Sequence, residues 1–244
     1  MPYQMNYTNI LYHGRSAEIR DVLIDTVGAT IGIIIMHKVL NKGEVKMYPV
    51  VKRIIDFVLA LIAFIILLPF FIIFSIIIKL ESKGPILFKQ KRVGKNKKYF
   101  MIYKFRTMRT DTPKDTPTHL LKNADNYITK FGKIMRKTSI DELPQIANIL
   151  KGEMSIIGPR PALWNQEDLI AERDKYGAND ITPGLTGWAQ VNGRDELEIP
   201  VKAKLDGEYA QKMSFAFDIK IFFKTIINVF KREGIVEGAK KEEK

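Results

Sequence analysis

The sequence predicts an α+β fold, mostly helical: a re-entrant membrane helix-break-helix, a compact cytosolic domain with a short β-hairpin, and amphipathic helices along the interface. Three observations carry this expectation. Residues 57–78 form an apolar run without a charge, flanked on both sides by Lys and Arg. Residues 86–88 and 99–103 are short apolar strings bounded by Gly84-Pro85, Gly94 and Asn96, the punctuation of a hairpin. Residues 215–232 set an apolar face (Phe217, Ile221, Phe222, Ile226, Phe230) against a basic one (Lys220, Lys224, Lys231, Arg232).

Composition narrows the chemistry. The 244 residues carry a formal net charge of +12, which favours polyanionic partners: nucleic acid, anionic membrane or phosphorylated substrates. There is no cysteine, so disulfides and thiolate metal sites are excluded. His13, His37 and His119 are too few and too scattered for a zinc site or a Ser-His-Asp triad. A metal would be held by oxygens, and magnesium is then the default.

Taken in order, residues 1–21 are polar. Residues 22–40 are mostly apolar but contain Asp25 and His37, so they read as a marginal membrane span or as a surface-lying helix. Residues 14–29 are similar to the last membrane segment of VanZ-like proteins. The expected domains are an N-terminal extension over 1–48, a re-entrant helix over 49–79 broken at Leu68-Pro69, a cytosolic domain over 80–238 and a disordered tail over 239–244. Pro69 removes a helix hydrogen bond at the centre of the run. The basic flanks (Lys46, Lys52, Arg53; Lys79, Lys83, Lys89) favour entry and exit on one face over a kinked crossing. Between Lys79 and Arg109 the chain holds eleven Lys or Arg against Glu81. This charge suits adhesion to anionic lipid, and Lys104 and Arg106 are placed to face a diphosphate. Residues 110–118 read as a loop. Helical patterns follow over 120–137, 140–151 and 162–176, and the glycine-rich stretch 182–194 reads as a ligand loop or as plain turns. The 215–232 helix suits either a membrane interface or a packed core.

The centre of the chain is residues 138–145, Thr-Ser-Ile-Asp-Glu-Leu-Pro-Gln. Ser139 and Glu142 have capping-box spacing, which places Asp141 in the first turn of a helix. There the backbone N–H groups keep a carboxylate ionised and attract phosphate. Acids in a first turn are commonly only stabilising. A carboxylate pair between basic segments, with Arg136 before it and Gly158-Pro159-Arg160-Pro161 after it, suggests instead a metal and a polyphosphate.

Five segments in order, Lys52-Arg53-Ile54-Ile55-Asp56-Phe57, Tyr103-Lys104-Phe105-Arg106-Thr107-Met108, residues 139–145, residues 151–161 and residues 183–194, resemble the bacterial sugar transferases, the monotopic polyprenyl-phosphate phosphoglycosyl transferases. The resemblance covers about residues 49–238. It implies transfer of a sugar-1-phosphate from a UDP-sugar to polyprenyl phosphate, with release of UMP, at the start of glycan assembly on the cytoplasmic face of the inner membrane. It implies Asp141 as nucleophile, Glu142 as its positioning or deprotonating partner, and a magnesium ion at both carboxylates. Lys104, Arg106, Arg136 and Arg160 are then phosphate partners, and Pro183, Gly184, Trp188, Gln190, Asn192 and Arg194 the nucleotide-sugar site. The chain departs from the family's Ser-Pro at the membrane break, having Leu68-Pro69. The expected partners are polyprenyl phosphate, the UDP-sugar and anionic phospholipid, with a homodimer left open. Nucleic acid is not expected, since a basic binding module gives the two acids no task. A magnesium-dependent phosphohydrolase is the enzymatic alternative.

Overall fold

A computed structural model describes residues 47–112, 126–193 and 197–231. The span expected over 22–40, the loop from residue 113, the helix start at 120–125, Arg194 and the tail lie outside the described residues. The chain divides into two units, residues 1–49 and 50–244, and the second is the subject below.

The apolar run lies in one helix, α1 (Met47–Glu81), about 50 Å long at 1.5 Å per residue. The helix continues unbroken through Leu68 and Pro69, where the sequence predicts a break. Proline removes one N–H, but Phe64, Leu67 and Phe71 pack on the domain at either side of it, and one lost bond does not end a helix held by its neighbours. An inward stripe runs the length of α1 at spacings of three and four: Lys52, Asp56, Ala60, Phe64, Leu67, Phe71, Phe74, Ile78 and Glu81. The opposite side is bare and apolar, with Ile65 and Ile66 63% and 64% exposed.

The hairpin forms as expected, β1 (Leu87–Val93) antiparallel to β2 (Tyr99–Phe105), with Phe88 opposite Lys104 and Arg92 opposite Phe100. Phe100 and Ile102 pack on Ala60 and on Ile146, Ile149 and Met154, forming the principal core. Next come α2 (Lys130–Thr138), a 3₁₀ segment (Ile140–Gln145) and α3 (Ile146–Lys151). A second, parallel pair joins β3 (Ser155–Ile157) to β4 (Gly184–Thr186). Around it lie α4 (Glu167–Asp174), shorter than the 162–176 expected, α5 (Trp188–Val191), α6 (Ile199–Lys212) and α7 (Phe215–Lys231). The fold is thus mostly helical with two small sheets.

Both ends of α1 are tied to this domain. Near its start, Lys52 Nζ reaches Asp218 Oδ2 of α7 at 2.6 Å, and Arg53 donates to the carbonyls of Ile149 and Leu150 at 2.6 and 2.9 Å, capping α3. Asp56 accepts from Ser155 Oγ and from the Ile156 N–H at 2.7 and 3.1 Å. At its far end Ile78 is buried with Phe105 and Met135, and Glu81 accepts from the Phe131 N–H of α2 at 3.0 Å. Lys52 is therefore a buried structural cation and not a headgroup contact.

Helix α7 has two contrasting faces. Its polar Asp218, Lys224, Thr225 and Asn228 face the domain, while Phe215, Ile219, Phe222, Phe223, Ile226, Ile227 and Val229 are exposed. Ile221 is fully buried with Ile157, Val191 and Tyr209, and Phe217 packs beside it, so the helix joins the core on one side and leaves an apolar face bare on the other. A contiguous apolar surface of this kind marks an interaction face.

Candidate active site

The two acids lie in a tight turn whose geometry differs from the expected capped helix. Ser139 adopts a left-handed conformation (φ 56°) and makes no side-chain cap; its N–H closes α2 onto Arg136 O at 3.1 Å. The capping box with Glu142 is thus absent, and the Glu142 N–H instead donates to Ser139 O at 3.2 Å. Pro144 has no N–H to offer the preceding turn, in keeping with a 3₁₀ segment before α3 begins. Asp141 and Glu142 nevertheless occupy the first turn.

Glu142 is gripped from two sides. Lys104 Nζ, from β2, lies 2.8 Å from Oε1; the Arg160 guanidinium forks onto the same carboxylate, Nη2 to Oε1 at 2.8 Å and Nη1 to Oε2 at 3.4 Å. Burial alone would raise the Glu142 pKa, but the charges and hydrogen bonds of Arg160 and Lys104 win and hold it well below the usual carboxylate range. Asp141 is moved the other way. Burial pushes its pKa up and the charge of Glu142 adds to this, while Lys104 and Arg136 pull it down. Two adjacent acids of opposite shift are what different roles require.

Arg136 is oriented by the strand exit: its Nε donates to Thr107 Oγ1 at 3.0 Å and its Nη2 to Met108 Sδ at 3.4 Å. Gly132 lets α2 lie this close, since a Cβ there would sit 2.2 Å from Thr107 O. The structure thus gathers Asp141, Glu142, Lys104, Arg136 and Arg160.

Arg106, two residues after Lys104, is turned elsewhere. Its Nη2 donates to Ser82 O and Oγ at 2.6 and 2.9 Å and its Nη1 to Lys83 O at 3.0 Å, capping the end of α1. With period-2 alternation broken at the strand end, its donors serve the helix terminus and do not face the carboxylates.

The glycine-rich stretch packs on the turn that carries Arg160, Gly184 N donating to Pro159 O at 2.9 Å. Pro183, Gly184 and Gln190 are buried. A Cβ on Gly184 would meet Gly158 N at 2.1 Å and one on Gly187 would meet Gly158 O at 2.1 Å, so these glycines permit backbone-on-backbone packing of β4 against the end of β3. Trp188 donates its Nε1–H to Glu208 at 2.9 Å, packs edge-on to Phe217, and carries Lys220 and Lys224 over its ring at 5.1 and 4.8 Å. Asn192 joins Trp188 O to Lys224. In this structure these residues bind one another and α7.

One residue near the site escaped the sequence reading. Arg92 lies on the same face of the hairpin as Lys104, and both Arg160 and Glu142 act on it electrostatically. Its signal was alternation: Phe88, Gln90 and Arg92 share a face, as do Phe100, Ile102 and Lys104 opposite them.

Among the described residues no cluster of three or more acids or histidines could hold a metal. Magnesium commonly takes one or two carboxylates plus phosphate oxygens; here both oxygens of Glu142 accept from Lys104 and Arg160, and Asp141 lies beside it.

The family model described as bacterial sugar transferase matches residues 47–232. The chain is 43% identical over 165 residues to the uncharacterized sugar transferase EpsL of Bacillus subtilis (strain 168), covering 67% of this chain and 80% of that one. It is 38% identical over 195 residues to the exopolysaccharide production protein PSS of Rhizobium leguminosarum bv. phaseoli, covering 75% and 96%. To the UDP-glucose:undecaprenyl-phosphate glucose-1-phosphate transferase of Escherichia coli (strain K12) it is 39% identical over 186 residues, 73% of this chain but only 40% of that longer protein. The chain belongs to the bacterial sugar transferase family.

Proposed function

We propose that the protein transfers a sugar-1-phosphate from a UDP-sugar to polyprenyl phosphate, releasing UMP, through a covalent intermediate on Asp141. The observation that carries this is the unequal treatment of the two acids: Glu142 is locked by Lys104 and Arg160, while Asp141 is desolvated near Lys104 and Arg136. A carboxylate oxygen of Asp141 attacks the sugar-bearing phosphorus. The bond from that phosphorus to the bridging oxygen breaks, and UMP leaves with the oxygen. A phosphate oxygen of the lipid then attacks the same phosphorus, and the Asp141 carboxylate departs unchanged. Lys104, Arg136 and Arg160 hold the diphosphate. Asp141 and Glu142 would also hold magnesium, which neutralises phosphate charge when bound.

Helices α1 and α7 support a membrane placement. One helix among the described residues is long and apolar enough to cross a membrane. Yet one domain holds its start, through Lys52 and Arg53, and its end, through Arg106 and Glu81. We read both ends as cytoplasmic, with the bare sides of α1 and α7 in the inner leaflet of the inner membrane and Lys79 to Lys98 available to anionic lipid. Relatives in Escherichia coli (strain K12) and Aeromonas hydrophila are named for UDP-glucose and UDP-N-acetylgalactosamine, which sets the first panel to try.

The test is UMP release by detergent-purified protein with magnesium, a UDP-sugar panel and undecaprenyl phosphate. Asp141→Asn is expected to lose release and the mass-labelled Asp141 peptide. Activity retained in that variant would overturn the nucleophile assignment. UMP released over many turnovers without lipid would instead mark a hydrolase.

A further inference from the structure

We propose that Arg92 is a positioning residue of the phosphate site: its guanidinium braces the turn that carries Arg160, so that Arg160 arrives at Glu142 already in place. The proposal rests on the transferase reading above for its kinetic readout, and on the fold alone for its structural one.

The turn is held at two points. On one side, Gly158 N donates to Thr186 O at 2.8 Å and Gly184 N to Pro159 O at 2.9 Å, fixing residues 158–159 to β4. On the other, Arg92 Nη1 donates to Pro161 O at 3.0 Å, Val93 N donates to Ala162 O at 3.0 Å, and Arg92 bridges Leu163 through its backbone. Arg160 hangs between. Pro159 and Pro161 fix φ on both sides of it, and the proline after it narrows its own backbone further. Its remaining freedom is the height of the turn above β1, which the Arg92 side chain sets.

Three features separate this from ordinary packing. Arg92 Nη2 donates to Gln90 Oε1 at 2.8 Å, so the guanidinium plane is fixed by its own strand and spans to the turn as a fork. Its Nε is buried without a partner among the described residues, an arrangement that an apolar side chain of similar volume would avoid. Finally, a second guanidinium close to Arg160 turns Arg160 away from itself, towards the acids. Burial lowers the Arg92 pKa to about 10, and the charge of Arg160 lowers it in the same sense while Glu142 opposes. Arg92 thus remains a cation at neutral pH.

The experiment is a double-mutant cycle. Steady-state UMP release is measured for the wild type, Arg92→Met, Arg92→Lys, Arg160→Ala and the Arg92→Met/Arg160→Ala pair. Displacing a phosphate-binding group by about 1 Å can lower the rate about 100-fold, and a loss of that order in kcat/KM is expected for Arg92→Met. Arg92→Lys should fall nearly as far, since it keeps the charge but cannot span Gln90 and Pro161. In the Arg160→Ala background the same Met change should alter kcat/KM less than about threefold. Equal losses in both backgrounds, or rescue by Lys, would overturn the proposal. Amide hydrogen exchange over residues 158–163 should accelerate in Arg92→Met while α2 and α6 stay protected. Unchanged exchange there refutes the brace even if the wild type proves inactive on every UDP-sugar tried. If Arg92→Met fails to fold, Gln90→Leu removes only the support of the fork and gives the same two readouts.

Discussion

At the residue scale, the adjacent acids are distinguished by what surrounds them and not by their chemistry. Glu142 meets Lys104 and Arg160 at hydrogen-bond distance, whereas Asp141 is desolvated and feels the charges of Lys104 and Arg136. This has a consequence for pH. Protonated Asp141 cannot attack phosphorus, so kcat/KM falls as pH drops through its pKa. Because that pKa is raised in the folded protein, the acid limb should lie above the value of about 3.9 for a free aspartate. Lys104 is the strongest opposing charge, and Lys104→Met should move the limb higher still, while Arg160→Ala, whose fork goes to Glu142, should move it less. A pH–rate profile at saturating magnesium measures both. An acid limb that Lys104→Met leaves in place contradicts the assignment of Asp141 as the reacting group.

At the element scale, the connections between α1 and the domain are polar and buried, which is unusual for a helix of this hydrophobicity. Lys52 and Asp218 are nine-tenths buried, and Asp218 also accepts from Tyr209 O–H at 2.7 Å. Removing one partner of such a pair typically costs about 3–5 kcal/mol, because the other is left buried and charged. Lys52→Met should therefore destabilise strongly. Lys52→Met with Asp218→Asn should recover much of the loss, since the amide oxygen still accepts from Tyr209. Melting in detergent checks both, and a double variant no more stable than the single would remove the ion pair as the cause. These links also show what could be read in the chain. The hairpin, the dyad and its neighbours Lys104 and Arg160 were legible because turn residues and alternation are local signals. Lys52 read as a membrane-flanking charge because its partner is 166 residues away. Arg106 read as a phosphate ligand because nothing nearby in sequence reveals the helix end it caps. The glycine-rich stretch read as a ligand loop or as plain turns because the backbone that Gly184 and Gly187 admit, at Gly158, is likewise distant.

At the scale of the whole molecule, α1 and α7 share one feature: each ties buried polar groups to the domain and leaves a broad apolar side exposed. A helix about 50 Å long has the reach to span a bilayer, whose apolar core is about 30 Å thick. A straight crossing, however, would carry one end away from the domain that grips both. The domain would then have to extend through the bilayer with α1, and its stripe of buried Lys52, Asp56 and Asp218 would lie at membrane depth, where charge is costly. Placing both ends on one face avoids this, because the paired charges stay with the water-facing domain while only the bare side meets lipid. The chain has no cysteine, so single cysteines report cleanly. Lys46→Cys and Lys83→Cys bracket α1, and Ile66→Cys marks its exposed middle. With a membrane-impermeant maleimide, the two flanking sites should both label in inverted vesicles and neither in right-side-out spheroplasts, and Ile66→Cys should label in neither. Flanking cysteines that label from opposite sides would establish a crossing, and the polar stripe along α1 would then need a different explanation from the one its contacts support.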